Sequence, residues 1–256
     1  MQLWVRRRVR RQEHALMLAL LVSLFLWSLP FGGFLLYPFK LISTWVHEMW
    51  HGVAMMVTGA GFWRLDIYPD TSGLAFQEHS SEGPAVALIA SAGYMGAALL
   101  GSFLLVLSQR WHRSRTVLFG LAVALGLSLF WVRNDFGQGV VAMGAVVLLL
   151  LARFAPEGVA IFLATFVAAQ ACINAVLDIR VLFRPMMVID GKIAQVSDAS
   201  RVAAATFGRP AMWAVFWMIW SFALVYIALR LSSLRSGGEP EPPPDRPAGG
   251  GTAPRR

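Results

Sequence analysis

One cysteine, Cys172, stands in 256 residues. A disulfide framework and a cysteine-based zinc finger are therefore both excluded. Charge is scarce as well. Only 14% of the residues are charged, where a soluble domain carries about a quarter. Acidic residues are the scarcer kind, 14 against 22 basic ones, for a net charge of +8. The basic residues gather at the ends of apolar segments and form no stripe interleaved with exposed aromatics. That excludes a nucleic-acid partner and fits a lipid bilayer with anionic headgroups. No internal repeat is visible. No A-x-A-like cleavage site follows the apolar run after "MQLWVRRRVRRQEH", which ends in "LPFGG". The run thus reads as a retained first span and not as a signal peptide.

Long apolar runs are abundant. Hydrophobic residues make up 57% of the chain, and its mean hydropathy is +0.60. The expectation is an all-α polytopic membrane protein with six to seven transmembrane helices. Spans are predicted at His14–Leu29, between Pro38 and Gly59, and at Pro84–Ser108, Thr116–Val132, Phe136–Ala152, Gly158 to about Leu182, and Ala211–Leu231. Between the second and third spans lies "FWRLDIYPDTSGLAFQEHSSEG", where apolar residues alternate around a "PDTSG" turn. It reads as a small β-hairpin, residues 62–78, at the membrane surface. Residues 1–13 form a basic N-terminal segment. Residues 232–256 are Pro/Gly-rich and are expected to be disordered. The N-terminal arginines favour a cytoplasmic N-terminus, although "QRWHRSR" then lies on the outer side against the rule.

The second span contains "TWVHEMWHGVAMMVTG", Thr44 to Gly59. Residues four apart share a helix face, so His47 and His51 can offer two imidazole nitrogens to one Zn²⁺. Glu48 lies beside them and can serve as general base toward a zinc-activated water. Three ionisable side chains within a span cost about 3 kcal/mol each on insertion scales, which argues against ordinary packing residues. Gly52 would let another helix approach closely.

Two histidines do not complete a catalytic zinc site, which usually has three protein ligands. On the sixth span Gln170, Asn174 and Asp178 recur every four residues as one polar stripe. Asp178 is the expected third ligand, and Asn174 the expected contact to the substrate carbonyl or to a ligand. Asp178 could instead end its helix and pair with Arg180. Asp198, in "SDAS", is a rival acidic position, or it belongs to a helix N-terminus. Parity makes the second and sixth spans parallel, as a shared site requires.

These segments resemble the site-2 protease clan of intramembrane zinc metalloproteases, in its compact B-like branch. The resemblance rests on "HEMWH" (47–51), "IYPDTSGLAF", "SAGYMGAALLG" (91–101), "NAVLD" (174–178) and "SDAS" (197–200). It implies that residues 14–231 form a transmembrane metallopeptidase domain. It also implies Zn²⁺ held by two His and one Asp, with a catalytic Glu acting on membrane-embedded protein substrates. Here Asn174 precedes Asp178 by only four residues, no proline intervenes, and Ile179 stands where better-known members have glycine. A bacterial cell membrane is the expected location. An edge strand at Leu65–Tyr68 is expected to pair with an unwound substrate segment. The competing readings are a non-proteolytic membrane scaffold that keeps the fold and an ion-binding transporter.

Overall fold

A computed structural model of the chain describes residues 2–109, 113–179, 186–189 and 192–233, with side chains over 14–109, 113–179 and 197–232. These residues form nine helices and two β-hairpins. The helices are α1 (Gln2–Ser28), α2 (Gly32–Leu35), α3 (Tyr37–Val57), α4 (Pro84–Gln109), α5 (Ser114–Ser128), α6 (Asp135–Phe154), α7 (Glu157–Leu177), α8 (Asp198–Ala205) and α9 (Pro210–Ser233). Strands β1 (Phe62–Ile67) and β2 (Gly73–Gln77) make one antiparallel hairpin, and β3 (Met186–Ile189) and β4 (Lys192–Val196) the other. The second hairpin falls in a stretch that the sequence presents only as a polar connection. The Pro/Gly-rich tail beyond residue 233 lies outside the described residues, as does Arg180.

Among the described residues four helices are long and apolar enough to cross a membrane: α4, α6, α7 and α9 up to Ser232. The apolar part of α1, His14–Ser28, and α5 are shorter. Helix α3 has 21 residues, about 31 Å at the usual rise, but it carries Lys40, Glu48 and both histidines. The chain is a membrane protein on these helices, with four candidate spans among the described residues where six to seven were expected.

Helix α4 is the centre of the bundle, packing on α3, α7, α8 and α9. Its contacts fix the directions of its neighbours. His51 meets Ile89, while His47 lies at Gly93. Further along, Gly101 meets Cys172, and Gln109 bonds Thr165. Helix α4 therefore runs antiparallel to both α3 and α7, and α3 and α7 are parallel, as parity predicts.

The first hairpin lies lengthwise along α3. Tyr37 Oη donates to the Pro69 carbonyl at 2.7 Å and Thr44 Oγ1 to the Thr71 carbonyl at 2.6 Å. At the other end the Phe62 ring covers Gly52, where a Cβ would fall 2.3 Å from the ring. The close approach foreseen at Gly52 is thus made by a strand and not by a helix. Leu65 and Ile67 are fully buried, and that burial holds the hairpin down.

The outer edge of β1 is closed. Leu65 N donates to the Trp131 carbonyl at 2.9 Å, and Arg133 N donates to the Leu65 carbonyl at 3.1 Å. The Asn134 amide then bonds both the N–H and the carbonyl of Ile67. The edge expected to receive substrate, Leu65–Tyr68, is thereby occupied by the α5–α6 connection through Ile67. The opposite edge belongs to β2, which is half-buried along its whole length. Ala75 pairs with Leu65. Because the Leu65 backbone groups point outward, those of Ala75 point outward on the other side, toward α3.

Candidate metal centre

Helix α3 presents His47, Glu48 and His51 from one half-turn and the next. Glu48 and His51 are buried, at 8% and 6% exposure, and His47 is nearly so. His51 Nδ1 lies 2.6 Å from the Ile89 carbonyl oxygen. A carbonyl only accepts, so Nδ1 carries the proton and Nε2 presents its lone pair. That Nε2 sits 3.0 Å from His47 Nε2. The rings stand nearly perpendicular, 80° apart, so both nitrogens address the same point.

The third group at that point is Asp198. Its Oδ2 lies 3.6 Å from His47 Nε2 and 3.5 Å from His51 Nε2. Helix α8 delivers it. Ser197 is the N-cap and its Oγ accepts from Ser200 N at 3.3 Å. Asp198 then begins the helix, where a carboxylate is favoured by the exposed N–H groups. The two readings of "SDAS" are thus both realised, as a helix start and as an acidic site residue. Burial opposes charge on Asp198, yet His51 and His47 hold its carboxyl well below the usual carboxylate range. Arg201 Nη1 lies 3.9 Å from Oδ1.

Asp178 lies near, within electrostatic reach of His47, but its carboxylate has another partner. Helix α7 ends at Leu177, and Asp178 is its C-cap, still at helical dihedral angles. Its Oδ2 lies 3.5 Å from Ser43 Oγ, one turn before His47 on α3. The stripe that suggested it faces α1 in part, where Gln170 Nε2 donates to Ser23 Oγ at 2.9 Å. Among the described residues the acid gathered with the two histidines is Asp198, where Asp178 was expected. Asn174 is 4% exposed, and its Nδ2 is buried without a partner among the described residues.

The donor set fits a divalent cation. Three groups that can act as Lewis bases converge on one point, and a divalent cation there would be met by all three. The ligand atoms all lie within 4.8 Å of one another. Tetrahedral zinc at its usual bond lengths of about 2.0–2.1 Å separates ligand atoms by about 3.4 Å, close to the separations of 3.0, 3.5 and 3.6 Å seen here.

Two elements press on this group. Helix α4 comes so near at Gly93 that a Cβ there would fall 2.5 Å from His47 Nε2 and 2.6 Å from His51 Nε2. Alanine in a helix is ordinarily more stable than glycine by about 1 kcal/mol. At Gly93 it is expected instead to displace both imidazoles and lower zinc affinity more than about 10-fold, as read by competition with a chromogenic chelator. From the other side β2 covers Glu48. A Cβ at Gly73 would fall 2.7 Å from Glu48 Cγ, and the Ala75 N–H bonds the Glu48 carboxylate.

Two histidines and a glutamate on one buried helix, with an aspartate brought to the imidazoles, are the outline of a zinc-peptidase site of the H-E-x-x-H kind. The comparison with protein families agrees: residues 15–228 match the Peptidase M50B-like family, a site-2 protease family, and the chain belongs to it. No curated protein and no solved structure matches the chain significantly.

Proposed function

We infer that the protein is an intramembrane zinc metallopeptidase that hydrolyses peptide bonds of membrane-embedded proteins. The observation that carries this reading is the convergence of His47 Nε2, His51 Nε2 and Asp198 Oδ2 beside Glu48 in a helical membrane protein. His47, His51 and Asp198 would hold the zinc ion. Zinc bound there supplies Lewis acidity, which brings the pKa of a water down to about 7.

The chain's own residues do the rest. The Glu48 carboxylate takes the proton of the attacking water and passes it to the leaving nitrogen as the C–N bond breaks. The Ala75 N–H holds that carboxylate in place. The buried Asn174 amide, one turn before Asp178 and without a partner among the described residues, serves as a further polar contact for the substrate away from the reacting carbonyl. Asp178 stays outside the ligand set and fixes the level of α7 against α3 through Ser43.

The test is chelation. Purified protein is incubated in detergent with a panel of single-span membrane peptides, before and after 1,10-phenanthroline. Cleavage should vanish with the chelator and return with added zinc. Cleavage indifferent to chelation would sink the reading.

A further inference from the structure

This inference rests on the hydrolysis proposed above. As water adds to the peptide carbon, an electron pair moves onto the carbonyl oxygen, and that charge needs a donor aimed at it. Donors at the site are few. His51 Nδ1 is committed to the Ile89 carbonyl. Arg201 sits against the far oxygen of Asp198. Asn174 lies on α7 a turn away from the edge.

Tyr94 is placed differently. It follows Gly93 on α4, at the point where that helix touches both imidazoles. It is 3% exposed. One side of its ring stacks on Trp217, with centroids 5.1 Å apart and planes at 7°. The ring also stands at 82° to that of His47, with centroids 4.5 Å apart. These two contacts fix the plane of the phenol. Its hydroxyl lies within electrostatic reach of Asp198, Asp178 and Glu48. Those carboxylates come from α8, the C-cap of α7 and α3, and the ring itself meets His47, one of the two imidazoles. Among the described residues the hydroxyl donates to no protein acceptor. Packing on Trp217 needs only the ring.

We propose that Tyr94 is a catalytic residue whose hydroxyl donates a hydrogen bond to the scissile carbonyl oxygen and stabilises the oxyanion as the carbon becomes tetrahedral. Tyr94 keeps its proton throughout. The water proton goes to Glu48 and then to the leaving amine, the C–O bond forms and the C–N bond breaks. A phenol, with an ordinary pKa of about 10, is a donor at neutral pH and not an acid that competes with Glu48.

The test is Tyr94→Phe in the full-length, zinc-loaded protein, since phenylalanine keeps both ring contacts. Three quantities are read: zinc per chain, kcat and KM on a peptide that the wild type cleaves, and the Kd of a phosphinic peptide by calorimetry. The phosphinic group is tetrahedral and anionic, so it imitates the charge that Tyr94 would hold. Zinc should stay as in the wild type and KM should move little. The rate constant should fall about 10²–10³-fold, and phosphinic affinity should weaken in parallel. A kcat and a Kd within twofold of wild type would overturn the proposal and leave Tyr94 as a packing residue. Loss of zinc would overturn it too, by making Tyr94 a support for His47. Failure of the peptidase reading looks different: no peptide is cleaved and Glu48→Gln behaves like wild type. The calorimetric arm does not depend on turnover and still decides the role of Tyr94.

Discussion

Asp198→Ala is expected to strip the metal from the protein, while Asp178→Ala leaves it bound. The two aspartates lie on neighbouring elements, and the sequence makes Asp178 the more inviting. Geometry separates them. Asp198 Oδ2 is 3.5–3.6 Å from both imidazole nitrogens, whereas Asp178 points at Ser43. Loss of a residue behind the ligands usually costs a zinc site about 10–100-fold in affinity, so loss of a ligand should exceed about 100-fold. The fold should persist. Asp198 stabilises the first turn of α8 by about 0.3–1 kcal/mol, and Ser197 keeps the cap. Zinc per chain by plasma mass spectrometry on both variants, prepared side by side, checks this. Zinc retained in Asp198→Ala and lost in Asp178→Ala would reverse the ligand assignment.

Glu48→Gln is expected to keep the metal and abolish turnover. Glutamine preserves the size of the side chain and retains an oxygen to accept the Ala75 N–H. It cannot take a proton from water. A positioned general base contributes about 10²–10⁴ in rate, and no other carboxylate shares its place on α3. Substrate should still bind, so the loss falls on kcat and not on KM. Cleavage of a single-span peptide, followed by mass spectrometry over hours, reads this directly. Residual cleavage above a tenth of the wild-type rate would remove Glu48 from the mechanism.

Much of the architecture was legible in the sequence because apolar runs and their Gly/Pro boundaries are local. Pro84 starts α4 as expected, α9 starts at Pro210, one residue before the expected Ala211, and "PDTSG" turns the first hairpin. The H-E-x-x-H spacing gave His47, Glu48 and His51 for the same reason, since a helix alone determines that they share a turn. The third acid was a different problem. Local pattern favours Asp178 over Asp198 without deciding between them. The choice depends on where α7 stops and on a short helix folding back from a connection rich in polar residues. A period-four stripe pointed to Asp178, but part of that stripe serves Ser23 on α1. The cue for Asp198 was present in "SDAS": a serine cap fixes the first helical residue, and an acid placed there is held in a defined direction. The closed edge of β1 was equally beyond reach, because Asn134 and Trp131 meet Ile67 and Leu65 only through tertiary packing. Tyr94 carried no signal of its own within an apolar helix.

The central claim is that three bases from two helices form one zinc site. It is tested most directly by the metal content of wild-type protein purified without chelators and without affinity to immobilised metal. The account predicts one zinc ion per chain, removable by 1,10-phenanthroline and absent from the His47→Ala, His51→Ala and Asp198→Ala variants. Wild-type protein that is folded, free of zinc and unable to take it up would contradict it.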